Sequence, residues 1–417
     1  MTHGDVTHGD VTPAPDLPPV AGVAGAAQVW PATVRARLDA VVEDGRWRAP
    51  REFDARGPAG TLDGAPVVSF ASNDYLGLSA HEAVVAAARA ALDRWGAGAG
   101  ASRLVTGSRP VHTELEEALA AWKGTDAAVC FPTGFAANLG ALSVLGGPAV
   151  RVLSDELNHA SIIDGVRLSR SPVSIYRHCD VAHLAALLEA DPTTPTIVVT
   201  DTVFSMDGDA APLEEIAALC RRRGALLLVD EAHAVLGPHL PASLTSDPDL
   251  TLIRMGTLSK TLGSLGGFLA GPRDVIDLMV NAARPYIFST GLSPADAAAA
   301  LAALGVLRSS EGDALVRRLA DLVERVGGGD RGGGSATPAR PSSPIIPVIL
   351  GTEQRALEAS AALLADGLWV PAIRPPTVPT GTSRLRVTVS ATHTDDQVRT
   401  LVDALAPLRA AMLARAR

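Results

Sequence analysis

The stretch GTLSKTLGSLGG (256–267) decides how this chain is read. Lys260 follows the hydroxyls Thr257 and Ser259 and precedes a glycine-rich run. A lysine can form a Schiff base with a carbonyl, and small hydroxyls can hold a phosphate. Upstream lies ALLLVDEAH (225–233), an apolar strand pattern that delivers Asp230 and His233 at its C-terminal end. Acids at the C-terminal ends of parallel strands are where α/β sites gather. Lysine, hydroxyls and a strand-ending acid together match what pyridoxal 5'-phosphate (PLP) asks of a protein. Asp230 would keep the pyridine nitrogen protonated and make the ring an electron sink.

Other segments fit the same site. PTGFAANLGAL (132–142) follows a strand and opens a helix, whose free N–H groups and dipole suit a phosphate. Gly134 permits close backbone approach there, and Phe135 follows it. LNHASIIDG (157–165) sets His159 among small and apolar residues, where an imidazole can lie flat on a pyridine ring. DTVFSMDGD (201–209) brings Ser205 just past a strand end, in good turn sequence. In AIRPPTVPTGTSRLRV (372–387), two prolines stiffen the backbone after Arg374. A rigidly held guanidinium suits bidentate capture of an amino-acid carboxylate. Taken singly, each segment is also an ordinary turn, junction or surface arginine.

Composition narrows the class. A chain of 417 residues can bury a large core, and 47% hydrophobic with 19% charged residues fits a globular enzyme of two or three domains. The net charge of −9 and the lack of a basic block argue against nucleic acid as a partner. The three cysteines are scattered, with no C-x-x-C or metal spacing, as in a cytoplasmic protein with reduced thiols and no bound metal. No apolar run reaches the roughly 18 residues that a membrane helix needs. The repeat THGDV opens a Pro- and Ala-rich stretch over 1–28, expected as a disordered tail and not as a secretory signal.

Residues 29–49 read as an amphipathic helix leading into the fold. VVSFASNDYLGL (67–78) reads as a strand and a turn. Short apolar runs then alternate with helical patterns: 127–131, 150–155, 196–201, 225–231, 251–256 and 266–271 are expected strands. Runs this apolar are buried on both faces, so the sheet is expected to be mostly parallel and covered by helices such as 183–190 and 213–222. The Gly/Ser/Pro-rich stretch 327–344 reads as an exposed turn. Beyond it, strands at 344–350, 369–373 and 384–390 with helices at 353–366 and 394–414 form a smaller α+β unit. The expected division is a tail (1–28), a helix and small-domain segment (29–75), a large PLP-binding domain (76–305) and a C-terminal domain (306–417).

At this point the residues show a resemblance. SNDYLGL (72–78), ASRLVTGSRPVHTELE (101–116), TGFAAN (133–138), NHASIIDG (158–165), VFSMDGD (203–209), DEAH (230–233) and TLSKTLG (257–263) resemble, in order, the α-oxoamine synthases. These are fold-type I PLP-dependent transferases that condense an amino acid with an acyl thioester and release CO2. The resemblance implies a seven-stranded, mostly parallel sheet in the large domain and a homodimer with the site between subunits. It implies Lys260 as the Schiff-base lysine, Asp230 at the pyridine nitrogen and His159 stacked on the ring. It also implies His233 and Ser205 by the phenolic oxygen, and Gly134, Phe135 and Thr257 around the phosphate and ring. Thr290, in YIFSTGLSP (286–294), matches the position that reaches the partner's phosphate. Arg374 matches a substrate-carboxylate arginine, Asn73 a substrate-side asparagine and Arg48 an arginine near the acyl substrate. The segment 372–394 is most similar to members that join L-alanine to a pimeloyl thioester, carried on CoA or acyl carrier protein.

The chain departs from the family pattern in places. DEAHAVLGPH has Leu236 where a glycine is usual, a later G-R-G is missing, and Asp201 stands where glutamate is common. The shortened loop after His233 is expected to alter access for the acyl chain. A sister synthase using glycine or serine with another acyl thioester, or a non-catalytic PLP-fold protein, are the alternatives.

Overall fold

The computed structural model describes residues 29–327 and 343–415. The expected tail (1–28) and most of the Gly/Ser/Pro stretch lie outside the described residues. The chain opens with a helix, Val29–Glu43, six residues shorter than expected because Asp44-Gly45 stops it, with Gly45 at φ 63°. None of that helix's side chains is buried within this chain.

Three short strands follow: β1 Phe53–Ala55, β2 Ala59–Leu62 and β3 Ala65–Ser69. Sequence reading found β3 and missed the other two. Their signal was Asp63-Gly64, a two-residue hairpin turn with φ 51° and 84° that pairs Leu62 with Ala65. Positive φ at both central residues is what a type I′ hairpin requires.

The central sheet contains β4 Ala127–Phe131, β5 Arg151–Asp155, β6 Val173–Tyr176, β7 Thr196–Asp201, β8 Leu226–Asp230, β9 Leu252–Thr257 and β10 Gly267–Gly271. Their order is β4-β10-β9-β8-β7-β5-β6, and only β10 runs antiparallel to its neighbours. The mostly parallel seven-stranded sheet expected from the sequence is therefore present. Sequence reading missed β6, whose four residues VSIY are too few for a pattern to show. Ile197, Val198 and Val199 of β7 and Leu227, Leu228 and Val229 of β8 are almost wholly buried, as strands covered on both faces must be. Helices Gly134–Leu145, Ala160–Ser169, Val181–Ala190 and Leu213–Arg223 make the crossovers.

The C-terminal part holds β11 Ile345–Gly351, β12 Leu368–Trp369, β13 Ala372–Ile373 and β14 Ser383–Thr388, with helices Glu353–Ala365 and Asp395–Arg415. The single strand expected at 369–373 is two strands in two sheets. β12 pairs with β3, while β13 pairs with β14. Pro371 lies between them, and a residue without an N–H cannot continue a ladder.

A buried ion triad ties the main sheet to the helix Pro110–Lys123. Glu231 lies 2.7 Å from Lys123 Nζ and 2.6 Å from Arg254 Nη2, and all three are nearly inaccessible. Burial alone would raise the Glu231 carboxyl; the two cations outweigh it and hold it low. Glu231→Leu leaves two cations buried without their counter-ion, and breaking a buried pair costs about 3–5 kcal/mol. Guanidinium unfolding of the variant reads that loss.

Candidate active site

Parallel strands bring their C-terminal ends to one edge. Asp155, Asp201, Asp230 and Thr257 end β5, β7, β8 and β9 there, and the Phe131–Gly134 turn follows β4. Asp201 and Asp230 are register partners across β7 and β8. Two buried carboxyls this near cannot share charge cheaply. Burial first, then the charge of Asp230, pushes the Asp201 carboxyl well above its usual range, which favours its protonated form. Its Oδ2 accepts the His159 backbone N–H at 2.8 Å, and its own N–H donates to Asn158 Oδ1 at 2.9 Å. Asp201 thereby fixes the turn that carries His159.

Asp230 is 2% exposed and fully engaged. Its Oδ2 accepts from Asn138 Nδ2 at 2.8 Å and its Oδ1 from the Ala232 N–H at 2.9 Å. Asn138 also donates to Ser161 Oγ at 2.9 Å, and Ser161 Oγ lies 2.8 Å from His159 Nδ1. Asn138 was legible only as the last residue of TGFAAN; its role as the holder of Asp230 needed the fold. His159 caps the helix Ala160–Ser169, with Nδ1 accepting from the Ser161 N–H. Its ring is exposed and meets Phe135 edge-on, with centroids 6.5 Å apart.

Lys260 lies in the loop between β9 and β10, and its Nζ is 2.8 Å from His233 Nε2. His233 Nδ1 is 2.5 Å from Tyr75 Oη, and Tyr75 Oη is 3.1 Å from Asn73 Oδ1. Asn73 Oδ1 also accepts from Arg386 Nη2 at 3.2 Å. One proton assignment satisfies every group: Lys260 donates to His233, His233 to Tyr75, and Tyr75 to Asn73. Burial pulls Lys260 below its usual range, against the opposing charge of Asp230. Burial, then the charge of Lys260, drives His233 well below its ordinary value, so its imidazole is neutral. Burial pushes the Tyr75 phenol up to about 12. Tyr75→Phe leaves the buried His233 Nδ1–H without an acceptor, at a cost of about 1–3 kcal/mol. Urea unfolding of that variant reads the loss, and its turnover is expected to fall as Lys260 loses its ordered partner.

The phosphate-sized cradle is at the other end. Thr133 caps the helix Gly134–Leu145 by accepting from the Ala136 N–H at 3.0 Å. The N–H groups of Gly134 and Phe135 have no partner inside the helix, as the first turn of any helix must leave them. A Cβ on Gly134 would sit 3.4 Å from Thr257 Cβ, and one on Gly267 would collide with Gly134 itself. Thr257 Oγ1 meets Ser259 Oγ at 2.7 Å. Free N–H groups, a helix dipole, two hydroxyls and two glycines in close approach fit a phosphate monoester, and Lys260 and Asp230 fit the ring of PLP.

Other expected residues are more dispersed. Ser205 is half-buried, and its carbonyl accepts from Arg386 Nε at 2.6 Å. Arg374 donates to the Gly45 carbonyl at 2.6 Å and lies 3.6 Å from Glu353, apart from the Lys260 network. Arg48 and Thr290 are exposed. Sequence reading missed Tyr75 and Arg386. SNDYLGL contains the first. The second had a signal in RLRV: Arg384 and Arg386 alternate with Leu385 and Val387, so both arginines face one side of β14.

Residues 65–405 match the family described as aminotransferase class I and II. The chain belongs to that family. Within the class I and II aminotransferases, it is similar to proteins named 8-amino-7-oxononanoate synthase. One from Anaeromyxobacter dehalogenans is 51% identical, covering 84% of this chain and 89% of the relative. One from Burkholderia lata is 48% identical, covering 83% and 88%. Among solved structures, a Sphingomonas wittichii serine palmitoyltransferase is 30% identical with a TM-score of 0.81, covering 93% of this chain and 99% of that one. An 8-amino-7-oxononanoate synthase from Francisella tularensis, 24% identical with a TM-score of 0.68, shares the fold.

Proposed function

We propose that this chain binds PLP and condenses L-alanine with a pimeloyl thioester, releasing CO2 and the free thiol and giving 8-amino-7-oxononanoate, a step of biotin biosynthesis. The observation that carries the reading is the pairing of Lys260 with neutral His233 beside Asp230, in a chain 51% identical to proteins of that name. The identity to serine palmitoyltransferase is 30%, which favours alanine over serine as the amino acid.

Bound PLP supplies an electron sink for the bonds at the amino acid's Cα. The residues do the rest. Lys260 would hold the cofactor, and its Nζ, aimed by His233 Nε2, would move the Cα proton. Asp230, its carboxylate fixed by Asn138 and Ala232, would partner the pyridine nitrogen. His159 would lie against the ring, and His233 and Ser205 would serve its phenolic oxygen. Gly134, Phe135 and Thr257 would take the phosphate.

For the substrate carboxylate, Arg374 is the choice: it is partly exposed, and its one hydrogen bond is Nη1 to the Gly45 carbonyl. Arg386 is buried with all three nitrogens engaged, on the Ser205 carbonyl, Thr388 Oγ1 and Asn73 Oδ1, so it positions Asn73 beside the substrate. Arg48 serves the acyl substrate. Substituting each arginine separately distinguishes them: the one that takes the carboxylate raises KM for alanine.

A homodimer is part of the reading. Trp30 is 72% exposed and Phe288 70%, beside Thr290, which would then reach the partner's phosphate site. The three free cysteines suit the cytoplasm. The deciding experiment offers L-alanine, glycine and L-serine with pimeloyl-CoA or pimeloyl-acyl carrier protein and measures product mass. Alanine is expected to give one CO2 per thiol; faster turnover with glycine or serine overturns the assignment.

A further inference from the structure

His178 lies behind the site, in the segment after β6, and bridges two carboxylates from different loops. Its Nδ1 is 2.9 Å from Asp155 Oδ1 and its Nε2 is 2.6 Å from Asp209 Oδ2. Both ring nitrogens donate, so the ring is an imidazolium. The ring edge meets Phe204 at 4.4 Å between centroids, and the His178 N–H donates to Glu156 at 3.0 Å. Burial alone would lower this imidazole; the hydrogen bonds to Asp155 and Asp209 outweigh it and push it up to about 12. Cys179 Sγ lies 3.6 Å from the ring, and the Cys179 N–H donates to Asp155 Oδ2 at 2.9 Å. Asp155, His178 and Cys179 are close enough together to hold a metal ion, but their atoms already satisfy one another.

What the bridge joins is the point. Asp155 ends β5 and accepts the Leu157 N–H at 2.9 Å, starting the turn that delivers His159. Asp209 closes the turn Val203–Asp209, where Phe204 and Asp209 bond through their backbones at 3.0 Å. That turn presents Ser205, whose carbonyl fixes Arg386, and Asp207, which pairs with Arg384. Arg386 then holds Asn73, and the chain runs through Tyr75 and His233 to Lys260. We infer that His178 is a positioning residue that sets the His159 turn and the Ser205–Arg386 turn in register across the ends of β5 and β7.

Removing it leaves Asp155 and Asp209 as unbridged like charges and frees both turns at once. The inference rests on Lys260 holding PLP, so the wild-type protein must first show a lysine-bound cofactor absorbance. Its absence there overturns the PLP reading and not this one. Given that band, His178→Ala is expected to shift the pH midpoint of its absorbance change, to weaken PLP binding about tenfold and to lower kcat about tenfold per loaded site. A residue that only supports folding would lower Tm and leave the midpoint and the kcat per loaded site where they were; that result overturns the inference. Asp209→Ala guards against a variant that does not fold, since Asp209 is exposed and the change removes the acceptor that joins His178 to the Ser205 turn. It is expected to shift the same midpoint by a smaller amount and to raise KM for alanine through the Arg386–Asn73 contact. An unchanged midpoint and KM in Asp209→Ala overturn the inference even if His178→Ala is insoluble.

Discussion

Lys260→Ala is expected to abolish covalent attachment of the cofactor and to lower turnover by at least about 10³-fold, since one residue supplies both the attachment and a proton-transfer group worth about 10²–10⁴ alone. The structure gives the reason for so large an effect. Nζ is 2.8 Å from His233 Nε2, and that imidazole is aimed by Tyr75 and Asn73. No second lysine is placed to substitute, because the buried Lys123 is committed to Glu231. Fold loss is not expected: truncation relieves the burial cost of the Lys260 ammonium, which offsets the donor lost to His233 Nε2. The check is borohydride reduction followed by peptide mass mapping. Wild type should retain the cofactor's mass on the peptide containing Lys260, and the variant should retain none. A cofactor adduct at another lysine with activity preserved would sink the assignment.

Asp230→Asn tests the other end of the ring. The variant keeps the shape of the side chain and removes its charge. It also turns one acceptor into a donor facing either the Asn138 amide or the Ala232 N–H, both of which already donate. Two donors meeting in a site 2% exposed cannot both be satisfied. Loss of the charge that stabilises a protonated pyridine nitrogen is expected to cut turnover by about 10²–10⁴, the range for one preorganised charged group in a dry site. The cofactor should still attach to Lys260, so the borohydride adduct persists while CO2 release collapses. Turnover within threefold of wild type would show that the ring needs no acid partner here.

These two variants also separate what was legible from what was not. Lys260 and Asp230 were readable because their signals are local. An apolar strand ending in acid and a lysine between hydroxyls and glycines each occupy one short window, and the strand-end rule then puts both on the same edge of the sheet. Gly134 and His159 were readable for the same reason, each at a strand-to-helix junction. Tyr75, Asn138 and Arg386 were not, since nothing local marks an asparagine in a helix or an arginine in a strand as a neighbour of the lysine. Arg374 was readable from its prolines, while its Nη1 contact with the Gly45 carbonyl, 329 positions away, was not.

The loop after His233 also needed the fold. Val235 and Leu236 turn inward and pack against the core shared by the two parts of the chain. The apolar side chain at the glycine's place is thus packing material.

By itself, the sequence determined the mostly parallel sheet, its crossovers and the places of Lys260 and Asp230 at strand ends, because hydrophobic period and strand-end position act within a few residues. Only the tertiary structure decided which distant groups meet: that Asn138 holds Asp230, that Arg386 and not Arg374 enters the Lys260 network, and that His178 bridges two loops. Those contacts join residues 23 to 313 positions apart. A hydrogen bond across such separations is set by how strands and helices pack, which no local pattern encodes.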